Sequence, residues 1–319
     1  MGNASLSAGA AAPNTGATAP STGATAAPVG AGVGGLRAVG ATLSMIKFQH
    51  TLFALPFAFT GAILAARGVP AWRQTGWILG AMVGARSAAM VFNRIADLRF
   101  DRRNPRTVTR PLVTGELGLR FAWGFLVASC ALFLLSAAML NRLALLLAPA
   151  ALALVLSYSY AKRFTWLTHL HLGASLGLAP LGAWIAVRGT IEPAPLVLAA
   201  AVALWVAGFD VIYACQDVAF DRCEGLHSVP RRFGLAAALR ISSGLHLATV
   251  VLLLYVAALQ RLGGFYLAGV ITTAALLAYE HRIVRTDDLS RVNQAFFTVN
   301  GCVSFLIFAA TALDLGVRG

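Results

Sequence analysis

The chain has 319 residues, 58% of them hydrophobic and only 12% charged, against roughly 25% charged residues in soluble domains. That balance excludes an ordinary soluble protein and points to an integral membrane protein, because several apolar runs reach the ~20 helical residues that cross a ~30 Å hydrocarbon core. A formal charge of +13 could suit nucleic acid, but the basic residues lie between the apolar runs, as in membrane-protein loops, so no nucleic-acid partner is expected.

Residues 1–40 are almost entirely Ala, Gly, Thr, Ser and Pro. Such a stretch cannot bury a core and is expected to be a disordered tail. It lacks the basic n-region of a secretory signal, since Arg37 is the first basic residue. The remaining chain, 41–319, is expected to be one transmembrane domain. Its apolar spans fall at about 45–66, 75–96, 119–140, 143–160, 170–188, 194–213, 236–258, 263–280 and 294–313. These predict an all-α integral membrane bundle of about nine transmembrane helices, since the roughly 10-residue alternation of a barrel is missing. Gly and other small residues recur within the spans, as close helix packing in lipid favours. Pro56 and Pro180 are candidate kinks. The four cysteines form no C-x-x-C pair, so packed thiols are expected rather than a zinc site or a disulfide framework.

Lys and Arg set the orientation. They concentrate in the N-terminal segment and in the loops after spans 2, 4, 6 and 8. That side is expected to be cytoplasmic, with the N-terminus inside, in a multi-pass protein of the cell inner (cytoplasmic) membrane.

Two hexapeptides stand out on that side, DLRFDR at 97–102 and DVAFDR at 217–222. They take four of only 12 acidic residues and close spans 2 and 6. In the first, Asn93, Asp97 and Asp101 are spaced i, i+4, i+8 and share one face of a continuous helix. In the second, Asp210, Asp217 and Asp221 also share a face. Carboxylates at i, i+4 repel each other on a helix, more so near lipid, and acids at a membrane edge are functional by default. Asp and Asn oxygens are hard donors that suit Mg²⁺ together with phosphate oxygens. Two such clusters facing each other could hold two Mg²⁺ around one diphosphate. Tyr158, Lys162 and Arg163, at the end of span 4, lie on the same side and are candidate diphosphate contacts, as is Arg94. Arg86, seven residues before Asn93, falls on the same face two turns deeper. It is a candidate for binding a carboxylated ligand, with Lys47 and His50 as weaker ones. His169 and His171 show no ligand spacing and receive no role. The shared Phe100, Arg102, Phe220 and Arg222 read as packing and interface residues.

These motifs resemble those of the UbiA superfamily of membrane aromatic prenyltransferases. The family pairs an N-x-x-x-D-x-x-x-D motif, here Asn93 to Asp101, with a D-x-x-x-D motif, here Asp217 to Asp221 preceded by Asp210, Tyr213 and Ala214. A Y-x-x-x-K-R signature matches Tyr158, Lys162 and Arg163. The resemblance covers about 41–319. The stretches IKFQHTLFALPFAFTGA, ARSAAMVFNR and YACQDVAFDRCEGLHSVPRRFG are similar to the 4-hydroxybenzoate polyprenyltransferase branch. It implies transfer of a polyprenyl group from polyprenyl diphosphate to an aromatic acid acceptor in quinone biosynthesis. Asn93, Asp97 and Asp101 would bind one Mg²⁺ and Asp217 and Asp221 the other. Lys162, Arg163, Tyr158 and Arg94 would contact diphosphate, Asp210 would orient a ligand or act near the acceptor, and Arg86 would bind the aromatic acid. An alternative acceptor is a bicyclic aromatic acid of futalosine-pathway menaquinone synthesis. A transporter is a different class; it would place its acids near the bilayer midplane at broken helices rather than at one surface.

Overall fold

Backbone polar groups in lipid must satisfy one another within the segment, so long runs of Leu, Ala, Val and Phe fold as helices. The computed structural model describes residue 42 and residues 51–318. The expected tail at 1–40, Lys47 and His50 lie outside the described residues. Among those described, every regular element is helical. In chain order they are α1 (Thr51–Ala66), α2 (Trp72–Ala96), α3 (Leu98–Asp101), α4 (Pro111–Thr114), α5 (Leu119–Leu140), α6 (Arg142–Phe164), α7 (Thr168–Arg188) and α8 (Pro193–Ala214). A short 3₁₀ turn, Cys215–Asp217, leads to α9 (Val218–Cys223), α10 (Val229–Phe233), α11 (Leu235–Gln260), α12 (Gly264–Ile283) and α13 (Val292–Gln294). A π turn over Ala295–Val299 then joins α13 to α14 (Asn300–Arg318).

Among the described residues, seven helices are long and apolar enough to cross a membrane: α2, α5, α6, α7, α8 with its continuation to Cys223, α11, and the stretch Val292–Val317. The chain is therefore a multi-pass membrane protein. Helices α1 and α12 occupy the places of the first and eighth expected spans but fall outside this set.

Helix α8 is the centre of the bundle, packed against α7 and α11, with α1 lying along α7 and touching α8. Its buried face includes Leu198, Val202, Trp205, Val206 and Phe209. The Trp205 ring lies 5.0 Å from both Phe57 of α1, tilted at 51°, and Phe209, edge-on at 78°. A buried polar chain ties four helices here. The Trp205 indole donates to Asn300 at 2.8 Å and the Asn300 amide donates to Glu280 at 2.9 Å, while His246 and His281 meet at 3.0 Å. In lipid there is no hydrophobic force between helices, so association rests on tight van der Waals packing and such bonds.

The tightest packing is between α7 and α8. Gly173 and Gly177, one turn apart on α7, lie against the backbone carbonyls of Ala203 and Ala199. A side chain at either glycine would meet main chain, which cannot yield as a flexible side chain can. We expect Gly173→Ala to destabilise the protein by about 1–3 kcal/mol, the usual cost of overpacking. Gly182→Ala, on the same helix with open space around it, should be neutral. Thermal unfolding of the detergent-solubilised variants checks this, and equal midpoints would contradict the packing argument.

Candidate active site

Helices α2, α6 and α8 all end on one side of the bundle, and their last turns surround a polar cavity of about 180 Å³. Its walls carry Asn93, Asp97 and Asp101 from the first motif, Tyr158, Lys162 and Arg163 from α6, and Asp210, Asp217 and Asp221 from the second motif. The sequence-predicted residues thus converge, although Asn93 and Asp221 are far apart in the chain.

Neither motif is one continuous helix. Asp97 closes α2 with φ −92° and ψ 5°, and the chain restarts as α3. Asp217 repeats this, with φ −100° and ψ 3°, between the 3₁₀ turn and α9. Both lie in the sparsely populated bridge region where many active-site residues sit. The i to i+4 backbone bonds persist through the first break, with Asp97 N–H donating to Asn93 O at 2.9 Å and Asp101 N–H to Asp97 O at 2.8 Å. The break therefore bends the chain without displacing the shared face.

In each motif the two aspartates differ. The first, Asp97 or Asp217, is partly open to the cavity, whereas Asp101 and Asp221 are buried. The buried members anchor the loops that follow. Arg110 donates to both oxygens of Asp101 at 2.7 and 2.6 Å, and Thr107 Oγ1 donates to its carbonyl at 3.1 Å. Ser228 Oγ donates to Asp221 Oδ2 at 2.7 Å. The loop after the first motif then reaches the second. Arg106 pairs with Asp217 at 2.7 Å while lying over the Tyr213 ring, and Arg103 pairs with Glu224 at 3.3 Å.

Arg163 holds the end of α2. It donates to Ala96 O at 2.6 Å and to Asp97 Oδ1 at 3.4 Å, with its guanidinium over the rings of Tyr160 and Phe100. Phe100 and Phe220 line the cavity, so the shared phenylalanines are walls of the site as well as packing, while Arg102 and Arg222 are exposed. Burial, and then the neighbouring Asp101 carboxylate, push the Asp97 carboxyl up from its ordinary value, and Arg163 opposes the rise. Lys162 lies within the field of Asp221, Asp210, Asp217 and Asp97. Arg94 is buried, bonded to Asn93 Oδ1 at 3.4 Å, and faces an apolar cavity rather than the polar one.

That second cavity, about 610 Å³, runs between α2, α5, α6, α7 and α8 and is walled mainly by Ala, Leu, Met and Phe. Asn93, Tyr158, Asp210 and Tyr213 line both cavities, so the acidic chamber and the apolar one adjoin at these residues. Arg86 lines the apolar cavity, and its buried Nε has no hydrogen-bond partner. Cationic, it faces a carbon-rich space and is free to take an anionic ligand group.

The donors around the polar cavity are carboxylate and amide oxygens, the set that a hard divalent cation takes. Among the described residues no three His, Cys, Asp or Glu side chains close around one point. A Mg²⁺ here would therefore be held by one or two carboxylates and completed by ligand oxygens and water, its usual manner of binding.

Several contributors escaped the sequence reading. Arg106, Arg110 and Ser228 come from loops, and only the fold brings them to the aspartates. His169 is the clearest omission. It is buried at the start of α7 and bonded to Asp210 at 2.7 Å. The segment 226–229 fastens several parts together: Leu226 N–H donates to Asp221 O at 2.9 Å, His227 N–H to Lys162 O at 2.7 Å, and Val229 N–H to His169 Nε2 at 3.3 Å.

The polytopic helical bundle thus carries an acidic, arginine-rimmed chamber beside a large apolar cavity. Residues 54–302 match the model of the UbiA prenyltransferase family, and the chain belongs to that family. It is 32% identical to a 4-hydroxybenzoate octaprenyltransferase of Alkalilimnicola ehrlichii, over 81% of this chain and 88% of that protein. Among solved structures, a UbiA homologue from Aeropyrum pernix K1 is 40% identical, covers 83% of this chain and 98% of its own, and superposes with a TM-score of 0.76. A homologue from Archaeoglobus fulgidus, solved with DMAPP and Mg²⁺, shares the fold at 22% identity and TM-score 0.68, over 86% of this chain and 99% of its own.

The loop anchors make a stability prediction. Arg110→Ala would strand the buried Asp101 charge and should cost about 3–5 kcal/mol. Arg106→Ala breaks a more exposed pair and should cost less than about 1 kcal/mol. Comparative unfolding of the two purified variants tests the difference; an Arg110 variant as stable as the Arg106 variant would refute the anchoring role.

Proposed function

We propose that this protein transfers a polyprenyl group from polyprenyl diphosphate to the ring of an aromatic acid, with 4-hydroxybenzoate as the first candidate acceptor. The observation that carries the reading is the juxtaposition of the acidic cavity and the apolar one, which share Asn93, Tyr158, Asp210 and Tyr213 as lining. A diphosphate head and an isoprenoid tail need those two environments side by side. The 4-hydroxybenzoate octaprenyltransferases among the relatives supply the acceptor class.

In this reading Asp97 and Asp217, with Asn93, Asp101 and Asp221, hold two Mg²⁺. Mg²⁺ held by these residues would supply positive charge to offset the charge that grows on the departing diphosphate. Lys162 and Arg163 bind diphosphate oxygens and Tyr158 borders the reacting carbon. The allylic C–O bond breaks with its electron pair leaving on the diphosphate. A ring π pair, at the carbon ortho to the hydroxyl, forms the new C–C bond. The hydrogen on that carbon leaves as a proton to a diphosphate oxygen, the base that the reaction itself releases. Asp210 accepts the hydrogen bond of the acceptor hydroxyl and enriches the ring, while Arg86 pairs with the acceptor carboxylate. The apolar helices exclude water from the cation. The acidic chamber faces the cytoplasm, where the basic loops lie.

Membranes carrying the protein should form prenylated 4-hydroxybenzoate and pyrophosphate from geranyl diphosphate and Mg²⁺. Asp97→Ala and Asp217→Ala should each abolish turnover while leaving the protein inserted; full activity in either would refute the metal assignment. Arg86→Ala should raise the acceptor KM, by about tenfold or more for a lost charge-assisted contact, and leave the geranyl diphosphate KM unchanged. An acceptor panel that includes a bicyclic aromatic acid, read by mass spectrometry, identifies the ring.

A further inference from the structure

His169 is a buried titratable group in contact with Asp210 that the scheme above does not use. It lies at the start of α7 with 1% of its surface exposed, and it lines neither cavity. Its Nδ1 is 2.7 Å from Asp210 Oδ2, and its Nε2 is 3.3 Å from the backbone nitrogen of Val229. A peptide N–H can only donate, so Nε2 must present its lone pair. The ring proton therefore sits on Nδ1 and is donated to Asp210. The imidazole is neutral, and the pair carries the single negative charge of Asp210.

We propose that His169 is a positioning residue, which fixes Asp210 as an acceptor-only carboxylate at the junction of the two cavities. The inference rests on the prenyl-transfer reading. The bond from His169 occupies Oδ2 and orients the carboxylate. Oδ1 makes no hydrogen bond among the described residues and remains for the acceptor hydroxyl. The Val229 N–H, donating to Nε2, fixes the ring so that Nδ1 faces Asp210. Neighbouring Ser228 holds Asp221, so one short segment sets both an aspartate of the second motif and, through His169, Asp210. At metal sites, the loss of an outer partner that orients a first-contact ligand costs about 10–100-fold, and the same scale is expected for His169 acting on Asp210.

Two substitutions separate positioning from mere packing. His169→Asn keeps a donor near the Nδ1 position and so can still bond Asp210, but it loses the acceptor for Val229. His169→Gln places its amide near Nε2, keeping the Val229 contact and losing the bond to Asp210. With geranyl diphosphate, Mg²⁺ and 4-hydroxybenzoate as probes, His169→Gln should lower kcat/KM for 4-hydroxybenzoate by roughly 10–100-fold. Its geranyl diphosphate KM should not change, and His169→Asn should retain most activity. In an Asp210→Ala background, His169→Gln should cost less than about twofold further, because coupled residues do not add. Calorimetric binding of 4-hydroxybenzoate runs the same cycle where turnover is too slow to read. The proposal is overturned if the Gln variant is fully active, if the Asn variant is the impaired one, or if the two losses multiply in the double variant. If the wild type transfers geranyl and Asp97→Ala abolishes transfer, these outcomes bear on His169 alone. A wild type that forms no prenylated acid overturns the prenyl-transfer reading and this inference with it.

Discussion

Five carboxylates gathered at one end of an apolar bundle repel one another strongly, because little water is present to screen them. The architecture of that end answers this repulsion. Asp97 is matched by Arg163, Asp101 by Arg110, Asp217 by Arg106, Asp221 by Ser228 and Asp210 by His169. Lys162 stands within the field of four of them. The partners come from four stretches of chain: the end of α6, the loop after α3, the start of α7 and the loop after α9. Satisfying the aspartates therefore folds the loops after α3 and α9 over the cavity and docks the start of α7 against α8. Burying an unpaired charge costs more than any one of these contacts returns, so the acids organise the loops rather than the reverse.

The two hexapeptides play matching parts. Each breaks its helix at the first aspartate with nearly the same backbone angles. Each directs that aspartate to the cavity and uses the second to secure the following loop. The repeat is thus structural as well as chemical: one device for ending a membrane helix, used twice around a common space.

Much of this was legible in the sequence because it follows from periodicity. Apolar span length located α2, α5 to α8 and α11, and the i, i+4 spacing put Asn93, Asp97 and Asp101 on one face. What the spacing could not carry was the choice of partners. Arg94, adjacent to the motif, looked a natural diphosphate contact, yet its position on α2 turns it toward the apolar cavity. Arg106 and Arg110 lie in a loop whose path depends on where the second motif stands. His169 was passed over because its neighbours in sequence say nothing. Its neighbour in space, Asp210, reaches it only because Gly173 and Gly177 let α7 lie directly on the α8 backbone.

The polar chamber is lined by five aspartates and four cationic side chains, Arg106, Arg110, Lys162 and Arg163. Its fixed charges nearly cancel, and three of the cations are already engaged with aspartates. Such a chamber has no surplus positive potential to draw in a bare polyanion. A diphosphate must bring its own counter-charge or displace the arginines from their carboxylates. Occupancy of this site is consequently an exchange of ionic partners, and the rim arginine Arg106, the most exposed of the three, is the one placed to move first.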